Sequence, residues 1–262
     1  MAEVKITFDA SDDYERFMGR WSRAIGEKFL TWLDPPSDGR WLDIGCGTGA
    51  FSELILRRCA PKFVAGIDPS PAQIEYAQRL LPGATFQVAD SIALPFGENE
   101  FDIVASALVI HFIPDRAKAF TEMRRVLRPG GLVAGYTWKR TATTDFAPYM
   151  PMLRGVESVG GEALRSPVVP EGSTEGMHAT LAAAGYDAIS VTEIEVSQSF
   201  RDFDEFWEVQ TLPFSPPGKS VARLNDAQRA RLRDNMRETL PVASDGSITY
   251  SATALAGKAR RP

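Results

Sequence analysis

The stretch Trp41-Leu42-Asp43-Ile44-Gly45-Cys46-Gly47-Thr48-Gly49 constrains this chain more than any other. Arg40 to Ile44 reads as a short buried strand, after which glycine recurs at every second position. Phe51, Leu54, Ile55 and Cys59 then come at the spacing of one apolar helix face. A strand, glycine turn and helix in that order need a backbone that turns tightly and meets a ligand where a Cβ would intrude. The unpaired N–H groups of the helix face the same crevice and favour anionic or carboxylate groups. A Gly-x-Gly turn alone is common to many nucleotide-binding folds, so its meaning depends on the strands downstream of it.

A second strand, Phe63 to Ile67, ends in Asp68. In a doubly wound sheet an acid about 20 positions after the glycine turn sits at the tip of the second strand. There it can accept hydrogen bonds from a ribose diol, each worth roughly 1.5–3 kcal/mol. The third strand, Ala84 to Val88, leads to Asp90 and Ser91. Strand-tip carboxylates on one sheet edge suit an adenosine-containing cofactor.

These residues, in this order, resemble the class I S-adenosylmethionine-dependent methyltransferases, in particular the group that includes the ubiquinone and menaquinone C-methyltransferases. The glycine pattern Gly45-x-Gly47-x-Gly49 is similar to the methyltransferase form, whereas the dinucleotide form has its last glycine later. Gly66-Ile67-Asp68-Pro69-Ser70, Ala89-Asp90-Ser91, Leu94-Pro95-Phe96, Phe101-Asp102-Ile103-Val104 and Leu127-Arg128-Pro129-Gly130-Gly131 also match. The resemblance is specific over residues 40–138 and looser elsewhere.

The resemblance implies an α/β, Rossmann-like sheet of seven strands in the order 3-2-1-4-5-7-6. Strand seven is antiparallel, helices cover both faces, and a small helical lid is added. Its cofactor would be S-adenosyl-L-methionine, held by Asp43, Gly45, Cys46, Gly47, Gly49, Asp68, Pro69, Gln73, Asp90, Ser91 and Ala107. Gln73 stands where the family more often has methionine, across the adenine. Arg20 and Tyr14, with Met18, fall in the segment that closes over the methionine end, where Arg20 can pair with a carboxylate. No metal and no protein nucleophile are needed, because the leaving group is already activated by its positive charge.

Residues 1–262 read as one methyltransferase domain, with a helical cap over 1–39 and lid insertions at 139–173 and 202–240. In the cap, Phe17, Trp21, Ile25, Phe29 and Leu33 recur at four-residue steps as an apolar stripe. Strand four runs from Phe101 to about Val109 and strand five from Leu132 to Trp138, with Arg128-Pro129-Gly130-Gly131 as the reversal between helix and strand. Asp102, at the bottom of the sheet, reads as a turn or capping residue. The insertions contribute Tyr149, Phe206, Trp207 and Phe214 as candidate contacts for an apolar or aromatic acceptor; the same side chains could equally be the insertions' own core. Phe203, Phe206, Trp207 and Gln210 lie on a short helix that Leu212 to Gly218 follows, Asn225 caps a charged helix to Leu240, and Ser247 to Ala259 is the closing strand. Arg260 and Arg261 read as a solvated chain end.

His111 is the one histidine near the expected chemistry, and its type suits proton transfer near neutral pH. It is the candidate base, against the plainer reading that it orders its loop. His178 reads as a surface or packing residue.

A net charge of −5 argues against a general nucleic-acid surface. Two cysteines, Cys46 and Cys59, are too few for a disulfide framework and point to a reduced, cytoplasmic chain. No apolar run reaches membrane-spanning length. The expected partner is a small-molecule acceptor methylated at oxygen, nitrogen or carbon. Three other readings carry less weight. A nucleotide-dependent oxidoreductase conflicts with the glycine spacing. An adenine-directed nucleic-acid methyltransferase would show Asn/Asp-Pro-Pro-Tyr/Phe where this chain has Ala107-Leu108-Val109-Ile110. A non-catalytic cofactor-binding protein would keep the same turn and acids.

Overall fold

A computed structural model of the protein describes residues 19–140, 146–213 and 215–262. Tyr14, Met18, Phe214 and the side chain of Arg20 lie outside the described residues. Helix α1 (Arg20–Leu33) leads into β1 (Arg40–Ile44), α2 (Ala50–Arg58), β2 (Phe63–Asp68), α3 (Pro71–Leu80), β3 (Thr85–Val88) and β4 (Phe101–Ala107). Next come α4 (Arg116–Val126), β5 (Leu127–Trp138), α5 (Tyr149–Ser158), α6 (Thr174–Ala183) and β6 (Asp187–Phe200). The chain closes with α7 (Phe203–Gln210), α8 (Pro216–Ala222), α9 (Asp226–Thr239) and β7 (Ile248–Arg260).

The seven strands form one sheet in the order β3-β2-β1-β4-β5-β7-β6. The pairs among β1 to β5 are parallel, and β7 runs antiparallel to β5, so the expected topology holds. Side chains alternate faces along a strand. From β1, Leu42 and Ile44 join the core cluster that holds Phe120, Met123 and Val126 of α4 and Met177 and Leu181 of α6. Trp41 and Asp43 therefore point to the opposite face. The four-residue stripe of α1 is buried at Trp21, Ile25, Phe29 and Leu33, and the Phe29 ring meets Tyr136 of β5 at 4.8 Å.

The chain divides into two compact units. One comprises Ser22–Lys139, Val168–Ile194 and Thr253–Pro262, and contains β1 to β5 with their helices. The other comprises Met1–Trp21, Arg140–Pro167 and Glu195–Ala252. Within this second unit Phe206 is fully buried against Phe200 at 5.1 Å. Helix α9 is capped by a reciprocal pair, Asn225 Oδ1 accepting the Gln228 N–H and Gln228 Oε1 accepting the Asn225 N–H.

Two expectations are corrected. Strand five begins at Leu127, not Leu132: Phe101 pairs with Leu127 and Ile103 with Leu132, so Arg128 to Gly131 bulge out of the ladder. The terminus explains why the bulge is stable. The Gly130 N–H donates to Arg261 O at 2.8 Å and the Arg261 N–H to Gly131 O at 3.0 Å. The Arg261 guanidinium donates to Asn99 Oδ1 at 2.7 Å and to the Leu127 carbonyl, so this residue is a structural clamp rather than a solvated end. Pro216 to Ala222 is a further helix, which the sequence reading did not assign, because Ser215 caps it and proline at its first position needs no donor. Asp102 accepts the Arg40 N–H at 2.7 Å and pairs with Arg128.

Candidate cofactor site

Four strand ends build the site, all within the sheet unit. After β1 the backbone is left-handed at Gly45, Gly47 and Gly49, with φ of +70°, +54° and +89°. The three glycines are required for different reasons. A Cβ on Gly45 would lie 2.4 Å from Val109 Cγ1, and one on Gly49 would lie 2.8 Å from Leu81 Cδ1. Among the described residues, one on Gly47 would meet nothing nearer than Gln73 Oε1 at 3.9 Å, so none of them closes this face of the turn. Gly45 and Gly49 are closed by packing, whereas Gly47 leaves room for a ligand against its backbone.

Gly45→Ala is expected to destabilise the protein by about 2–4 kcal/mol, the sum of left-handed strain and overpacking. Adding Val109→Ala should recover the packing share. Urea unfolding checks both, and a wild-type midpoint for Gly45→Ala would sink this account of the turn.

Asp68 ends β2 half-buried. Its Oδ2 accepts the Gly47 N–H at 3.1 Å and its Oδ1 the Ser70 N–H at 2.9 Å. Burial raises its pKa, and these two N–H donors pull it back down. Each oxygen keeps acceptor capacity for a diol. Pro69 is exposed beside it, and Ser70 caps α3. Gln73, 5% exposed in the first turn of α3, faces the glycine turn. Asp90 is exposed after β3, its Oδ1 accepting the Ile92 N–H at 3.1 Å and the Ser91 hydroxyl at 3.4 Å. Cys46 is buried against Ile74, Ala77 and Phe86, and its thiol is pushed well up by burial. It shapes the turn through packing.

Asp43 is 0% exposed. Its Oδ2 accepts the Ser52 hydroxyl at 2.7 Å, and its Oδ1 has no hydrogen-bond partner among the described residues. Burial pushes its carboxyl up to about 7, opposed by the Ser52 bond and assisted by the nearby charge of Asp68. Ser52 carries no signal in the sequence; it becomes a partner because α2 packs on the face to which Asp43 points.

Beyond β4, Ala107 is half-buried and Leu108 takes a left-handed φ of +59°, a strained conformation for leucine. His111 lies in the short turn Ile110–Phe112. His178 is exposed on α6. Of the candidate acceptor residues, Tyr149 is buried edge-on to Phe146 at 4.9 Å, and Trp207 stacks on Phe203 at 6.1 Å. Tyr149 and Trp207 thus pack on aromatic side chains of their own insertions, whereas Phe206 packs on Phe200 of β6 and Tyr250 of β7.

The arrangement fits S-adenosylmethionine. It offers an open backbone turn at Gly47, a buried amide at Gln73, and carboxylates at the ends of β2 and β3 for an adenosine moiety.

Comparison with known proteins agrees. The family model described as "Methyltransferase domain" matches residues 42–135. The chain is 35% identical over 122 residues to a demethylmenaquinone methyltransferase of Roseiflexus castenholzii, covering 46% of this chain and 48% of that protein. It is 29% identical over 184 residues to a ubiquinone/menaquinone biosynthesis C-methyltransferase of Geobacter sulfurreducens, covering 64% and 70% respectively. The match thus spans about half of the first relative. The crystal structure of a putative methyltransferase from Bacillus halodurans superposes with a TM-score of 0.60 at 16% identity, over 90% of this chain and 98% of that one, which shows the fold. The domain match, the motif order and the sheet order converge: residues 42–135 match a methyltransferase domain, and the chain is similar to S-adenosylmethionine-dependent methyltransferases of small molecules in sequence and in fold.

Proposed function

We propose that the protein transfers the methyl group of S-adenosylmethionine to a small apolar or aromatic acceptor. The observation that carries this is the pairing of the open Gly47 backbone with the Asp68 carboxylate, in a chain whose residues 42–135 match a methyltransferase domain. The cofactor supplies a methyl group on a positively charged sulfur, ready for in-line displacement. The protein's tasks are to position and to exclude water, and near-attack placement alone is worth roughly 7–11 kcal/mol.

Asp68 would accept the ribose hydroxyls, with Asp90, Ser91 and Gln73 at the adenine and the Gly45–Gly49 turn beside the methionine end. Arg20 and Tyr14 are proposed for the methionine end as well, and Tyr149, Phe206, Trp207 and Phe214 for the acceptor side. The relatives named above act, by their names, on quinone precursors, which motivates phenolic and quinol acceptors as the first to screen. A cytoplasmic location is part of the proposal, supported by two free cysteines. Among the described residues no helix is long and apolar enough to cross a membrane.

Calorimetry tests the cofactor assignment. S-adenosylmethionine should bind the wild type, and Asp68→Ala should weaken it about 10- to 100-fold, the loss of one charge-assisted contact of roughly 1.5–3 kcal/mol. A nicotinamide nucleotide serves as control. Binding indifferent to Asp68, or preference for the nicotinamide, would overturn the reading.

A further inference from the structure

The cofactor site lies at the carboxyl ends of β1 to β4; the opposite edge of the sheet carries a cleft that methyl transfer does not use. β4 and β5 begin at that edge, at Phe101 and Leu127, and β7, which runs the other way, ends there at Arg260. The last turn of α4 and the turn between α6 and β6 complete it, and all of these belong to the sheet unit. The cleft has a volume of about 340 Å³, within the range of small-molecule sites, and brings together Arg124, Arg125 and Arg261 with Glu98 and Glu122.

The three guanidiniums, each partly buried, are not equivalent. Arg125 is spent inside the fold. Its Nε and Nη2 each donate to the Glu122 carboxylate at 2.8 Å, and its Nη1 and Nη2 donate to the carbonyls of Phe96 and Leu94 at 2.8 and 3.0 Å. Glu122 also accepts the Leu94 N–H, so its charge is matched and its oxygens are engaged. Arg124 and Arg261 differ. Among the described residues Arg124 donates only through Nε, to the Gly185 carbonyl at 3.3 Å, which leaves the outer end of its fork open. Arg261 is held by Nη1 on Asn99 and on the Arg125 and Leu127 carbonyls, while its Nε and Nη2 have no acceptor among the described residues. Their charges converge, since both act on the buried Tyr186 phenol and oppose the rise that burial imposes on it. Forks anchored on one side and open on the other are pre-ordered donors.

We propose that this cleft binds the phosphoryl group of a small molecule, free phosphate or a phosphate monoester, on the open N–H groups of Arg124 and Arg261. A phosphate offers three or more oxygens and can take both forks at once, whereas a carboxylate has two oxygens and is filled by one fork. Glu98 is exposed and has no hydrogen-bond partner among the described residues, so its uncompensated charge tunes the affinity downward. A bound anion would join α4, the turn before β6 and the end of β7, and would stabilise the fold by mass action.

Calorimetry and thermal unfolding of the full chain at constant ionic strength test this, with inorganic phosphate, glycerol 3-phosphate and acetate as probes. At least one of the two phosphates should bind and raise the unfolding midpoint, the tighter of them identifying the source, and acetate should bind about tenfold more weakly. Arg124→Gln, which keeps a donor for the Gly185 carbonyl, should weaken phosphate about 10- to 100-fold. Glu98→Gln, an exposed change that leaves folding alone, should strengthen it about two- to fivefold. Adding S-adenosylmethionine should leave the phosphate in place. No binding of either phosphate, acetate binding as well as phosphate, an affinity indifferent to Arg124→Gln, weaker binding in Glu98→Gln, or displacement by S-adenosylmethionine would each overturn the assignment. The phosphate titrations need neither cofactor nor turnover, so the cleft and the methyl-transfer reading fail separately.

Discussion

Between about pH 4 and pH 7 the fold is expected to lose about 4 kcal/mol of stability through Asp43, and Asp43→Asn should remove most of that slope. In the unfolded chain this carboxyl ionises near 3.8, whereas in the fold burial holds its proton until about 7. Over that interval the folded state binds more protons than the unfolded one, so stability falls as pH rises. The contribution is fully present below the unfolded value and lost above the folded one. Asp68, also raised by burial, adds in the same direction. The carboxamide carries no charge to desolvate and can still accept from Ser52, although its buried N–H groups set an offset of their own. Urea unfolding of wild type and variant from pH 4 to 8 decides the matter, and parallel slopes would show that Asp43 is not the group responsible.

The second large effect is expected at a buried ion pair that braces the turn after β4. Glu171, 2% exposed, faces Arg116 Nε at 3.2 Å and accepts the Thr180 hydroxyl at 2.8 Å. Arg116 opens α4 and also donates to the Ile113 carbonyl at 3.1 Å, so it ties the His111 segment to the start of α6. Arg116→Met should cost about 3–5 kcal/mol, because it strands a buried carboxylate. Glu171→Gln should cost less, since the Arg116 side chain is 27% exposed and can turn to water. The double variant Arg116→Met with Glu171→Met should lie closer to wild type than Arg116→Met alone, because no buried charge is then left unpaired. A double-mutant cycle by chemical denaturation measures this. Strict additivity would mean that the two groups are not coupled.

Much of this was readable in advance where the signal is local. The four-residue stripe of α1, the glycine turn, the acids after β2 and β3, and the Asn225 cap each depend on residues a few positions apart. The chain's own periodicity therefore reveals them. The β5 bulge was not readable, because Arg128 to Gly131 carry the composition of an ordinary reversal. They stay in register only because Arg261, more than a hundred positions later, closes over them. Helix α8 was hidden for a related reason: Pro216, Pro217 and Gly218 look like a breaker, yet prolines fit the first turn of a helix once Ser215 caps it.

The sequence by itself determined the strand, glycine turn and helix and the acids after the next two strands at the cofactor edge, because these depend on spacing along one stretch of chain, while the fold class and the strand order came from the resemblance those motifs carry. Only the tertiary structure decided how the polar groups at that edge behave. It turned Asp43 inward onto Ser52, wedged Val109 against Gly45, set Thr137 beside His111 and paired Arg116 with Glu171. Such partners are chosen by packing between elements far apart in the chain, and ionisation depends on those partners and on burial, neither of which a residue's type or spacing contains.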